Sequence, residues 1–170
     1  GYGMANRDWE IPNTAETKFR IGSVTKQFTA MSILLLQEAG KLTIYDPICT
    51  YIEECPEAWA EVTIEHLLTH TSGIPSLTDF PEYRQFMAVR TTPQATIQRF
   101  IDKPLDFQPG AEWYYSNSGY ILLGYIIAEV SGQSYQAFLN DNIFEPLALT
   151  GTGYDDDRRI IKNRAVGYEN

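Results

Sequence analysis

Ser23 and Lys26 stand three residues apart in "RIGSVTKQFTA", residues 20–30. A serine hydroxyl is a poor nucleophile until a base removes its proton. Residues i and i+3 share one face of a helix, so the Lys26 amine can reach the Ser23 oxygen. The amine accepts a proton only when neutral, and burial among Val24, Phe28 and an apolar helix face would favour that form. A helix N-terminus would also favour negative charge developing on the serine oxygen and aim backbone N–H groups at an oxyanion. Alone, the pair carries little weight. Ordinary composition supplies about one chance S-x-x-K in a chain of this length. A serine N-cap followed by a solvated lysine explains the same letters.

The segment "YYSNSGY", residues 114–120, changes the balance. In an extended stretch, residues i and i+2 point the same way, so Tyr115 and Asn117 can face one cleft. A phenol beside a cationic lysine can have its pKa lowered and act as a proton shuttle. An asparagine amide can grip a substrate carbonyl and hydrogen-bond the lysine as well. A second Tyr-x-Asn, Tyr168-Glu169-Asn170, has nothing around it that forms a site.

These residues need elements to hold them. The first 22 residues alternate loosely around Pro12, Asn13 and Thr14, which predicts two short strands joined by a loop there and ending in "KFRIG". Over residues 24–39, Val24, Phe28, Met31, Leu34 and Leu35 recur at helical steps. Ser23 takes the N-cap place and Gly40 the C′ place, and Leu36 widens the apolar face into that of a deeply buried helix. Further helices are expected over residues 63–70, capped by Thr63, over 93–102 with Pro93 in the first turn, from about Ser118 to Val130 with Gly132 as the stop, and over 134–143.

The chain has 170 residues, 44% of them hydrophobic and 21% charged, which is enough for one domain with a real core. A net charge of −9 excludes a general affinity for nucleic acid. No apolar run is long enough for a membrane span. Cys49 and Cys55 fit no common zinc pattern; a small-loop disulfide and two free thiols both remain open, and with them the redox compartment. His66 and His70 have the i, i+4 spacing of a helical metal pair, but no partner glutamate or third ligand accompanies them. A helix-end histidine bonding backbone is the preferred reading, and neither a metal nor a cofactor is expected. Asp155, Asp156 and Asp157 lack the pattern of a calcium loop and read as a solvated turn. Trp113 and Tyr114 either line a cleft or pack their loop on the next helix.

Four landmarks in order, "GYGMAN" with "FRIGSVTKQFTA", "DPI", "LLTHTSGIP" and "PGAEWYYSNSGYILLG", cover most of the chain. With them it resembles the serine β-lactamase and penicillin-binding-protein superfamily. The likeness is greatest to the class C-like branch, with its class C β-lactamases, DD-peptidases and β-lactamase-fold esterases. The resemblance implies an α+β fold. The chain would be its mainly helical portion with a short N-terminal strand pair, a single partial domain in which residues 1–22 are a remnant of the α/β sheet and residues 23–170 the helical region. It implies that Ser23 is acylated, that Lys26 is its partner, that Tyr115 is general base or proton relay, and that Asn117 contacts substrate. Family members are often periplasmic or secreted. The family's Lys/His-x-Gly motif is not found after residue 120, since "LTGTGY" lacks the Lys or His. The family's C-terminal strands are therefore expected to lie outside this chain.

Two functions follow as expectations. One is a serine hydrolase forming an acyl-enzyme with a β-lactam, a D-amino-acid peptide or a small ester. The other is a catalytically incomplete fragment or binding module, completed by another chain or by self-association through an exposed strand edge.

Overall fold

Short polar side chains and left-handed residues set the limits of the helices. The structure is a computed structural model, and it describes residues 1–156 and 158–168. The longest helix, called α5 by its place in the order, is Asn117–Ser131; the Ser116 hydroxyl accepts the Gly119 N–H at its start, and Gly132 closes it at φ 69°. The first, α1, is Thr25–Glu38 and is followed by Gly40 at φ 67°. Helix α2, Ile64–Thr69, opens with a reciprocal cap. The Thr63 hydroxyl accepts the His66 N–H at 3.3 Å while His66 Nδ1 accepts the Thr63 N–H at 3.2 Å. Helix α3 is Tyr83–Phe86, α4 is Pro93–Ile97, and α6 is Tyr135–Leu139, which runs into a π-helical turn, Asn140–Phe144. Strands β1, Met4–Asn6, and β2, Ile11–Pro12, pair antiparallel. The architecture is α+β and mainly helical, with α5 packed against α1, α2, α4 and α6.

Several expectations are corrected. Ser23 does not cap α1. It sits in a 3-10 turn, Gly22–Val24, ahead of the helix and makes no side-chain cap bond. Its oxygen is engaged by side chains instead, as described below. The apolar stripe of α1 is not its buried face: Val24, Met31 and Leu34 are exposed, whereas Thr29, Ser32, Ile33 and Leu36 are buried. Two hydroxyls can lie inside because each is satisfied, Ser32 donating to the Phe28 carbonyl at 2.8 Å and Thr29 bonding Tyr135 at 2.6 Å. Helix α4 is shorter than 93–102: beyond Ile97 the bonding mixes i+3 and i+4 steps, and Phe100 lies against Trp59 with centroids 6.2 Å apart.

The hairpin also turns earlier than Pro12. Asn6 accepts the Trp9 N–H at 2.9 Å to close the turn, and Pro12 lies in β2, where the two-stranded sheet needs no further N–H from it. Residues 18–22 form no strand, and Lys18 makes one isolated parallel bridge with Arg164.

The core joins Trp59, Phe100 and Leu67 to Ile33 of α1 and to Leu122, Leu123, Ile126 and Ile127 of α5. In the "DPI" landmark, Asp46 accepts the Thr43 N–H and the Tyr51 hydroxyl; burial and that carboxylate push the Tyr51 phenol up to about 12. Cys49 and Cys55 are joined in a disulfide, which settles the alternative the sequence left open. The acidic run is more than a solvated turn. Asp155 pairs with Arg20 and Arg164, Asp156 pairs with Arg158 and Arg90, and Asp157 lies outside the described residues. Among the described residues no helix is long and apolar enough to cross a membrane.

Candidate active site

The four residues singled out by type and spacing come together. Ser23 is carried by the turn before α1, Lys26 by the first turn of α1, Tyr115 by the loop that enters α5, and Asn117 by the first position of α5. The Tyr115 hydroxyl donates to Ser23 Oγ at 2.7 Å, and Lys26 Nζ lies 3.2 Å from the same oxygen. Lys26 also donates to Asn117 Oδ1 at 2.8 Å. The orientation of that amide follows from its partners. Lysine is only a donor, so the oxygen must face it, and Asn117 Nδ2 then donates to Thr78 Oγ1 at 2.9 Å. The Asn117 backbone N–H donates to Ser76 Oγ at 3.1 Å.

Val24 does not bury Lys26 as the sequence led one to expect. Aromatic faces flank the ammonium instead, with the Tyr115 and Tyr120 centroids 4.7 and 5.2 Å from Nζ. Burial alone would push the Tyr115 phenol up. Its contacts with Lys26 and Ser23 and the nearby lysine charge outweigh that and hold it below the ordinary tyrosine value. A phenol tuned downward, in contact with an exposed serine hydroxyl, can take up the serine proton and return it.

Gly22 sets the entry to this turn at φ 52°, and nothing lies within 4 Å of where a Cβ would stand. Gly22→Ala should therefore cost about 1 kcal/mol through backbone strain alone. Thermal denaturation measures this, and Gly22→Asn, which tolerates that region better, should recover part of the loss.

Ser76, Thr78 and Tyr120 were not singled out from the sequence. The i, i+2 hydroxyls of "PSLTD" were a signal of the same kind as Tyr115 and Asn117, but no partner for them was visible. Ser76 also lines a groove of about 480 Å³ walled by Phe80, Phe107, Trp113 and Tyr114. Trp113 and Tyr114 thus line a depression next to Asn117, and the Tyr114 hydroxyl contacts Asp79 at 3.3 Å. Both histidines bond backbone: His66 within its cap, and His70 Nδ1 by accepting the Ser116 N–H at 3.2 Å. Among the described residues no group of three or more His, Cys, Asp and Glu side chains could hold a metal ion. Tyr168 of the second Tyr-x-Asn accepts the Arg7 N–H at 2.7 Å and so ties its segment to the hairpin, while Glu169 and Asn170 lie outside the described residues.

Comparison with known proteins shows the family. The Beta-lactamase family model matches residues 1–170. PbpX of Bacillus subtilis (strain 168) is 37% identical over 99% of this chain, which spans 41% of the length of PbpX. The crystal structure of a penicillin-binding protein from Bacillus halodurans superposes with a TM-score of 0.90 at 36% identity, covering 98% of this chain and 51% of that one. An octameric penicillin-binding protein homologue from Pyrococcus abyssi superposes with a TM-score of 0.84 at 37% identity, covering 99% of this chain and 40% of its own.

Proposed function

This chain belongs to the Beta-lactamase family, and on that premise we propose that it carries the nucleophile half of a serine hydrolase that works through an acyl-enzyme. One observation carries the reading. Ser23 Oγ lies within hydrogen-bond reach of a phenol that can take its proton, Tyr115 at 2.7 Å, and of the lysine whose charge favours the phenolate, Lys26 Nζ at 3.2 Å.

In the proposed course, Tyr115 as phenolate takes the Ser23 proton while Oγ bonds to the substrate carbonyl carbon. Lys26 keeps the phenolate favoured by its charge. The tetrahedral intermediate collapses, the bond to the leaving nitrogen or oxygen breaks, and Tyr115 returns its proton to that leaving group. Water then attacks the serine ester, giving its proton to Tyr115. Serine regains a proton as the acid departs. Asn117, fixed between Lys26 and Thr78, is placed to hold the substrate carbonyl. The substrate is a β-lactam, a D-amino-acid peptide or a small ester.

The chain spans about two fifths of the length of PbpX, so the activity is proposed for the protein of which this chain is a part. Residues 1–22 are proposed as a piece of the family's sheet and residues 23–170 as its helical region.

A second reading is favoured by the exposed apolar side chains in the N-terminal part of the chain, Trp9, Ile11, Phe19, Val24 and Met31. In that reading the chain acts only after another chain, or another copy, covers these side chains. The Pyrococcus abyssi relative is described as octameric.

One experiment tests both readings. The chain is incubated with a fluorescent penicillin and, separately, with an activated ester, and the modified peptide is located by mass spectrometry while light scattering gives the oligomeric state. Covalent modification of Ser23 is expected. A folded chain with no modification by either probe removes the hydrolase reading, and a labelled monomer removes the second.

A further inference from the structure

We infer that His70 is a positioning residue for Tyr115, and that charging its ring adds a step to the acid limb of acylation at Ser23. This rests on the reading of Tyr115 as the proton relay, in which His70 has no chemical part.

His70 ends α2 in the left-handed conformation, at φ 61°, a costly place for a residue with a side chain. That conformation lets a single residue hold the backbone on both sides of Tyr115. The His70 carbonyl accepts the Tyr114 N–H at 3.0 Å, and His70 Nδ1 accepts the Ser116 N–H at 3.2 Å. Its ring also lies on the Tyr115 ring, with centroids 4.6 Å apart. Tyr115 is thus located by two main-chain bonds and a ring contact, all from His70. A phenol that must reach Ser23 Oγ at 2.7 Å gains its directionality from such anchoring.

Acceptance at Nδ1 requires the neutral ring with its proton on Nε2. Protonation would place N–H against N–H at Ser116 and break that bond. The titratable groups facing the ring are Lys26 of α1, Tyr115 of the loop and Tyr120 of α5. Burial first, and the Lys26 charge second, hold His70 below the ordinary imidazole value, so the neutral ring prevails at neutral pH. For a base lowered in this way, the stabilisation is complete above about pH 6.5. It is lost as the pH falls through the depressed value. The anchoring of Tyr115 fails in the same range.

Two variants separate anchoring from titration. His70→Phe keeps a ring and loses the acceptor. His70→Asn keeps an acceptor, tolerates the left-handed conformation and does not titrate. Labelling by fluorescent penicillin is measured against concentration and pH, with circular dichroism as the check on folding. His70→Phe is expected to lower the limiting rate constant by about tenfold or more at neutral pH while leaving the half-saturating concentration little changed. His70→Asn is expected to restore most of that rate and to lose the part of the acid limb that lies at the His70 titration, leaving the limb of the Tyr115 phenolate. A wild-type rate in His70→Phe, or an acid limb in His70→Asn unchanged from the parent, overturns the inference.

Imidazole nitrogen NMR gives a readout that needs no turnover, with the two histidines distinguished by a His66→Gln variant. An unprotonated Nδ1 at neutral pH, and Tyr115 ring signals that follow the His70 titration, are expected. A protonated Nδ1, or Tyr115 signals indifferent to that titration, overturns the inference whether or not the chain is labelled. Absence of labelling alone counts against the hydrolase reading instead.

Discussion

Ser23→Ala abolishes covalent labelling, by about a thousandfold or more, and leaves the melting temperature within about 2 °C of the parent. The first half follows because Ser23 Oγ, among the described residues, is the hydroxyl bonded by both Lys26 Nζ and the Tyr115 hydroxyl. The second half follows because Ser23 is exposed, lies in the turn before α1, and makes no cap bond. A capping serine would cost about 1 kcal/mol on truncation. The two measurements thus separate the roles one residue type could play. Lys26 keeps its bond to Asn117 in the variant, so the rest of the cluster stays in place. Undiminished labelling of the variant would remove Ser23 from the mechanism, and a fall of several degrees would restore it as a cap.

Gly73→Ala is expected to cost about 3 kcal/mol or more, which for a chain of this size lowers the melting temperature by roughly 6–12 °C. Two independent causes add at this position. Gly73 holds φ 74°, and a Cβ there would stand 2.0 Å from the Phe107 carbonyl oxygen. The obstacle is backbone, so no rotamer change relieves it. Nor can the strands of chain part freely, since the Gly73 carbonyl accepts the Asp106 N–H at 2.8 Å and the Thr71 carbonyl accepts the Gly110 N–H at 2.8 Å. The displaced segment leads directly to Tyr115. Labelling should therefore slow as well, although Gly73 is not among the four site residues. Thermal denaturation followed by circular dichroism checks the cost, and a variant melting with the parent would show that the two segments are not this close. Gly22→Ala is the control for backbone conformation without a clash.

Helix limits were legible where the signal was chemical and local. Thr63 caps α2 and Gly132 ends α5 as read, while the caps at Ser116 and Ser134 were not read and shift those helix starts to Asn117 and Tyr135. Legibility failed where a residue's local options were overruled by distant partners. Ser23 has the side chain of a cap, but its oxygen is taken by Tyr115, 92 residues away. The apolar stripe of α1 is real, yet burial went to the face whose hydroxyls could pair with Phe28 and Tyr135. Asp155 and Asp156 looked solvated because Arg20 and Arg90 lie far off in the sequence, and the bonds from Arg158 and Arg164 depend on a loop conformation that spacing does not predict. Within the site, side-chain types and spacing pointed to Ser23, Lys26, Tyr115 and Asn117. Ser76 and Thr78 could not be placed, because each holds Asn117 through a contact no spacing predicts, and His70 was legible only as a helix-end histidine bonding backbone.

The bond from Tyr115 to Ser23 joins residues 92 apart, and that from Lys26 to Asn117 residues 91 apart. Closing a loop of that length costs about 4 kcal/mol of chain entropy beyond a constant term. The capped turns, the α2 cap and the loop of the Cys49–Cys55 disulfide need far less, and can form while the rest is still fluctuating. The reactive centre is then among the last features to exist during folding. A chain with most of its helices in place, but with α5 not yet docked on α1, has a serine of ordinary reactivity. The chemistry proposed for Ser23 would in this sense be timed: it would start only when the two halves of the polypeptide have found each other.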